Sequence, residues 1–176
     1  MSIISDLRDA LSNETYIRLN VDDGSHEGFV LALSDKLVLL QAVYEWQDTG
    51  ALIVPIERVE SCDISDHHDD QVKILAFNSV KRTKRYGGIK VANFAELFKS
   101  LKPKNRFVVI SVEDEADVGQ IDSIGSDHVV LKAVDPGGNW MDDEIECPFE
   151  EITSVQFDDS YSRVLQRYVE RTAQLN

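Results

Sequence analysis

One pattern runs through this chain twice, and the duplication restricts the fold to architectures that can be assembled from a single small unit used twice. The segment Ile17 to Val43 (IRLNVDDGSHEGFVLALSDKLVLLQAV) lies over Val108 to Val134 (VVISVEDEADVGQIDSIGSDHVVLKAV) without a gap, which sets Gly28 on Gly119 and Ala42-Val43 on Ala133-Val134. After a longer second loop the match resumes, with Pro55-Ile56-Glu57-Arg58-Val59 on Pro148-Phe149-Glu150-Glu151-Ile152, so the offset is 91 residues before the loop and 93 after it. Self-similarity of this kind marks a duplicated fold unit. A chain of 176 residues then holds two small domains, each near the lower size limit for a self-sufficient core. The expected division is residues 1–77 for the first repeat, 78–90 for a basic linker and 91–176 for the second repeat.

Each repeat opens with a helical period. Ser2 is placed to cap a helix whose Ile3, Ile4, Leu7 and Leu11 share one face, and Phe94, Leu97, Phe98 and Leu101 repeat that spacing within 91–101. Alternating runs follow: Ile17, Leu19 and Val21 in the first copy, Val108, Ile110 and Val112 in the second. Each suits a strand with one buried face. Turn residues at Asp22-Asp23-Gly24 and Ser34-Asp35, and in the second copy at Gly125-Ser126-Asp127, divide the rest into about five short antiparallel strands. Gly28 and Gly119 sit inside strand patterns, where a glycine implies a strong bend of the kind a small barrel needs. The first repeat closes in a short helix or strand around Val72, Ile74 and Leu75. The second closes in an amphipathic helix whose expected apolar face is Tyr161, Val164, Leu165 and Tyr168.

The order helix, alternating strand, acidic turn, G-x-apolar-x-x-apolar, short loop and apolar run resembles the Sm-like (LSm) small β-barrel superfamily. The second copy is the closer of the two: Val118-Gly119-Gln120-Ile121-Asp122-Ser123-Ile124 with His128-Val129-Val130-Leu131-Lys132 is similar to the corresponding stretch of the bacterial hexameric RNA chaperone of that superfamily. The resemblance implies a mainly β chain of two tandem Sm-like or SH3-like five-stranded barrels, each preceded by a short helix. It implies no RNA site in the usual place. Where the superfamily carries Asp and a Met-Asn pair this chain has Ser34 with Leu37-Val38, and Gly125 with His128-Val129. Where it carries Arg-Gly or Lys-His this chain has Pro55-Ile56-Glu57-Arg58 and Pro148-Phe149-Glu150-Glu151. An acid beside a phosphate replaces attraction with repulsion.

Charge narrows the function. The net charge is −14, yet residues 73 to 106 hold ten of the eighteen basic residues and one acid, Glu96. Phe107 to Ser160 holds fifteen acids against Lys132 alone. Within the basic stretch, Lys81, Arg82, Lys84, Arg85 and Tyr86 form the candidate nucleic-acid site, since four cations beside an aromatic ring can engage phosphate and stack on a base. The competing expectation is that these cations balance the acidic barrels.

Other motifs point nowhere specific. The four side chains of His67-His68-Asp69-Asp70 cannot all face one ion, because adjacent residues point in different directions. Asp142-Asp143-Glu144 lacks the spaced ligands of a calcium loop. Pro136-Gly137-Gly138-Asn139 has no Walker lysine and fits hairpin geometry. Cys62 and Cys147 fall at non-equivalent places in the two repeats, which argues for reduced thiols. No serine or cysteine stands in a nucleophile motif beside His26 or His128. No metal or cofactor is expected, and no catalysis. The start MSIISDLRDAL carries acids where a signal peptide has bases, so a cytoplasmic, non-membrane protein is expected. The reading is a protein-binding adaptor, assembly or inhibitory protein, of which acidic bacterial immunity-type proteins are one subclass. A basic protein partner suits the acidic repeat, and strand-edge pairing allows a homo-oligomer or pseudo-symmetric ring. RNA binding through the basic linker is the alternative.

Overall fold

In the computed structural model, which describes residues 2–174, the chain divides into two compact units, one ending at Ala92 and the other beginning at Asn93. The first contains α1 (Ile3–Ser12), β1 (Tyr16–Val21), β2 (Gly24–Leu33), β3 (Leu37–Tyr44), β4 (Gln47–Pro55), a 3-10 turn (Ile56–Arg58), β5 (Val59–Asp63) and α2 (His68–Phe77). The second contains α3 (Phe94–Leu101), a 3-10 turn (Lys102–Lys104), β6 (Val108–Val112), β7 (Glu115–Ile124), β8 (His128–Ala133), β9 (Ile145–Pro148), β10 (Ile152–Phe157) and α4 (Ser160–Ala173). The molecule is mainly β, with antiparallel strands and four flanking helices among the described residues. None of these helices is long and apolar enough to cross a membrane.

The leading helices start where side chains satisfy their first amide groups. Ser2 Oγ accepts from Ser5 N at 3.3 Å, and Asn93 Oδ1 accepts from Glu96 N at 2.9 Å. In the first unit Leu7 and Ala10 of α1 pack with Ile17, Leu19 and Val21 of β1 and with Val30, Val38, Leu40, Leu52 and Val54. Tyr16 points to the opposite face, where it joins Phe29, Val43, Val80 and Leu75 of α2. The period-2 alternation of β1 thus feeds two apolar layers. In the second unit, Phe94 and Phe98 of α3 close on Phe149 at ring separations of 5.9 and 6.0 Å, while Phe107, Val118 and Val134 meet Leu165 and Val169 of α4 on the other face.

Strand order is the same in both units: β5-β1-β2-β3-β4 in the first and β10-β6-β7-β8-β9 in the second. The registers also coincide. Ile17 faces Gly28 and Gly28 faces Ala42; Val108 faces Gly119 and Gly119 faces Ala133. The ladder slips between Val30 and Ala32 in one unit and between Ile121 and Ser123 in the other, the equivalent place at an offset of 91. A bulge also recurs where β5 meets β1 (Asn20/Val21) and β10 meets β6 (Ile152/Ser154). Bulges bend and twist the strands that carry them.

The sequence anticipates barrels, but neither five-stranded sheet closes on itself. The two end strands of each order share no ladder with one another. In the first unit a single 3-10 turn after β4 swings the chain round so that β5 pairs with β1 instead of returning to β4.

The residues 78–90 expected as a linker belong to the first unit. Val80, Tyr86 and Ile89 are buried there, and these apolar anchors fix a stretch whose sequence shows no period.

Both interior glycines are demanded by close approach. A Cβ on Gly28 would lie 2.0 Å from the Gln41 carbonyl oxygen, and one on Gly119 would lie 2.1 Å from that of Lys132. Backbone stands on both sides of each contact, so no rotamer change relieves it. Gly28→Ala and Gly119→Ala are each expected to destabilise the protein by about 1–3 kcal/mol. Gly88→Ala, with open space around the added carbon, should leave the melting temperature unchanged. Thermal denaturation of the three variants checks this, and a Gly119→Ala protein that melts with the wild type would show that the bend tolerates a side chain.

Candidate functional site

The five residues singled out as a nucleic-acid site do not form an open basic face. Tyr86 is 3% exposed, so its ring cannot receive a base. Arg82 donates to Glu14 Oε1 at 3.2 Å and to the Val30 carbonyl at 3.3 Å. Arg85 donates to Asp48 Oδ2 at 2.7 Å, and its guanidinium lies 5.4 Å from the centre of the Tyr86 ring. Lys81 and Lys84 remain exposed. The cause is Gln41, a fully buried amide in β3. Its Nε2 donates to the Lys81 carbonyl and to Asp48 Oδ2, both at 2.9 Å, and its Oε1 accepts from Thr83 N at 2.7 Å. A buried amide is stable only when paired, and here it is paired to the backbone of the basic segment. In the second unit the equivalent position is Lys132, whose Nζ sits 4.7 Å from the Trp140 ring centre.

Other polar groups of the first unit pair with one another around β1, β2 and β5. A recess of about 200 Å³ between β1, β2 and β5 is lined by Tyr16, Arg18, Asn20, Glu27 and Asp63. Glu27 accepts from the Tyr16 hydroxyl at 2.9 Å and from Arg18 Nη2 at 2.7 Å, and Asn20 Nδ2 donates to Asp63 Oδ2 at 2.6 Å. Burial, and then the bond to Glu27, holds the Tyr16 phenol well above the usual tyrosine range, so it stays protonated. Burial pushes the Cys62 and Cys147 thiols up to about 11, which suppresses the thiolate at neutral pH. Burial also lowers the pKa of His26. His68 Nδ1 lies 3.5 Å from Asp69 Oδ1, and among the described residues no three His, Cys, Asp or Glu side chains gather as ion ligands.

What the two units do present is apolar surface. In the first, the β3–β4 hairpin turns through Glu45 and Trp46, both left-handed at φ 47° and 63°, a conformation that costs side-chain-bearing residues roughly 1–2 kcal/mol each. The strained tip carries Tyr44, 69% exposed. Asn78 Nδ2 donates to the Trp46 carbonyl at 2.6 Å, tying the end of α2 to the hairpin beside Phe77, which is 92% exposed.

The second unit offers a more continuous face. The sequence expects α4 to bury Tyr161, Val164, Leu165 and Tyr168, but the helix is rotated. Only Leu165 of that set is buried, together with Ser162 and Val169, while Tyr161, Val164 and Tyr168 are each more than half exposed. Polar anchors set the rotation. Asp159 caps the helix, accepting from Ser162 N at 2.9 Å and from Ser162 Oγ at 2.5 Å. Gln166 Oε1 accepts from Phe107 N at 3.0 Å, and its Nε2 donates to the Asn105 carbonyl at 2.9 Å.

Pro136, Gly137, Tyr161, Val164, Leu165 and Tyr168 line a groove of about 340 Å³. One wall is the turn after β8. There Asp135 Oδ1 accepts from Asn139 N at 2.9 Å, a bond that lowers the Asp135 pKa, and Gly138 takes φ 79°. A Cβ on Gly138 would lie 2.6 Å from the Tyr168 ring, so this glycine serves the groove as well as the turn.

Sequence reading missed Gln41, which looks like one polar residue in an apolar strand. It also missed Arg163, Arg167 and Arg171, all exposed on α4, although their i, i+4, i+8 spacing was visible. No family model matches the chain, and neither a curated protein nor a solved structure matches it.

Gln41→Leu leaves the Lys81 carbonyl and the Thr83 amide without their partner. It should destabilise the first unit by about 2 kcal/mol and speed tryptic cleavage at Lys81, Arg82, Lys84 and Arg85 relative to sites in α4. Timed proteolysis read by mass spectrometry checks this, and an unchanged rate at those four sites would show that Gln41 does not hold the segment.

Proposed function

We propose that the chain is a non-enzymatic protein-binding adaptor, assembly or inhibitory protein, an immunity-type role included, built from two copies of an Sm-like five-stranded unit whose sheet stays open. The helix-first order, the strand sequence shared by both units and the bent second strand support the fold assignment. The binding role is carried by one observation: the rotation of α4 leaves Tyr161, Val164 and Tyr168 exposed beside an apolar groove. Exposed contiguous apolar surface of this kind marks an interaction site, and tyrosine adapts well to one because its ring is apolar and its hydroxyl tolerates water. The strained aromatic hairpin of the first unit supports the same reading. RNA binding draws less support, since Arg82 and Arg85 are engaged and Tyr86 is buried, leaving Lys81 and Lys84 on a chain of net charge −14.

Affinity capture with the full-length protein tests the proposal, comparing the wild type with a Tyr161→Ser, Val164→Ser, Tyr168→Ser variant before and after ribonuclease treatment. The expected result is a defined polypeptide that the wild type retains after ribonuclease and the variant loses. Co-purification of RNA alone, lost on changing Lys81 and Lys84 to serine, would replace the adaptor reading with the RNA one.

A further inference from the structure

The exposed side of α4 carries two parallel rows. Tyr161, Val164 and Tyr168, at i, i+3 and i+7, form the apolar row over the groove, and Arg163, Arg167 and Arg171 form a second row at i, i+4 and i+8. The arginines lie along the helix: Arg163 Nε donates to the Asp159 carbonyl and Arg167 Nε to the Arg163 carbonyl, both at 3.3 Å. None of the three forms a salt bridge with another described residue. The one acid within α4, Glu170, accepts from Gln166 Nε2 at 2.8 Å. From Asn93 onward the chain has seventeen acids and eight bases, and three of those eight bases share one helix face with no salt bridge among the described residues.

Resting on the protein-binding reading above, we propose that α4 and its groove receive an acidic amphipathic helix of a partner protein, with apolar side chains in the groove and carboxylates along the arginine row. Fourteen residues make α4 about 20 Å long, enough to lie against four turns of a second helix. The groove admits a few aliphatic side chains, and arginine pairs well with carboxylates because its planar fork donates two parallel hydrogen bonds. A second copy of α4 is the wrong occupant, because self-pairing would bring two arginine rows together. A nucleic acid fits less well, since phosphate contacts along the arginine row would leave the apolar groove unfilled.

The test uses the full-length protein, labelled with ¹⁵N, and three probes: a helical peptide with leucines at i, i+3 and i+7 flanked by glutamates, the same peptide with lysines for glutamates, and a twelve-nucleotide oligouridylate. The glutamate peptide is expected to shift the amide signals of α4 and of Gly137 to Asn139, to weaken with added salt, and to lose roughly tenfold in affinity on changing Arg163, Arg167 and Arg171 to glutamate. The lysine peptide should bind that triple variant better than the wild type, which separates lost charge complementarity from a lost fold. Preferential binding of the lysine peptide to wild-type α4 would overturn the acidic-helix assignment while leaving the protein-binding reading in place. Binding of oligouridylate alone at α4 would overturn both. Failure of every probe to shift α4 would also overturn the assignment, with capture of a polypeptide still standing as the separate test of the broader reading.

Discussion

The structure of each unit depends on a place where one strand has no side chain to offer. At Gly28 and Gly119 the backbone of the second strand passes so close to the carbonyl of the third that any Cβ would collide with it. That approach lets a ten-residue strand bend enough to serve two apolar layers, one under the leading helix and one under the closing helix. A pair of matching bulges completes the bend in each copy. A flat five-stranded sheet of this length could not wrap its core from both sides, and a domain this small cannot leave one face bare.

On this shared frame the two units have diverged where a polar residue replaced an apolar or charged one at the same register position. Gln41 and Lys132 occupy equivalent places, each opposite the second strand. The buried amide of Gln41 gathers in a basic segment that would otherwise be an exposed arm, and Arg82, Arg85 and Tyr86 of that segment become structural while Lys81 and Lys84 stay exposed. The hairpins after the third strand diverge as well. One displays aromatic residues on a strained two-residue turn, and the other is a longer connection in which Gly138 takes φ 79° and lies against Tyr168. The surfaces proposed for binding sit on these departures from the repeat, while folding rests on what is held in common.

How much of this was legible in the sequence follows the same division. The repeat, the succession of a helix and short strands, and the two glycines could be read because each depends on local pattern that survives in both copies. The leading helices could be read for the same reason, since the apolar period recurs and Ser2 caps the first, although the second begins at Phe94 behind an Asn93 cap that the period does not mark. The basic segment could not. Whether a cation is free or paired depends on Glu14, Asp48 and Gln41, which lie 37 or more residues away in sequence from Arg82 and Arg85 or fix their backbone from a distance. The rotation of α4 was hidden by its composition, because two faces of the helix carry large apolar residues and only the polar anchors Ser162 and Gln166 decide which one turns inward. That neither strand order closes on itself escaped too, since closure depends on the path of a three-residue turn that periodicity does not encode.

The central claim is that the two halves of the chain are one folded design with one register, diverged at chosen positions. Nuclear Overhauser contacts in the full-length protein measure this directly through the Hα and amide protons of the glycines. The account predicts cross-strand contacts from Gly28 to Ala42 and from Gly119 to Ala133, with the ladder slipping at Val30/Ala32 and again at Ile121/Ser123. Contacts that place Gly119 opposite Lys132 or Val134, or that omit one of the two slips, would mean the second half pairs its strands differently from the first and would contradict the claim.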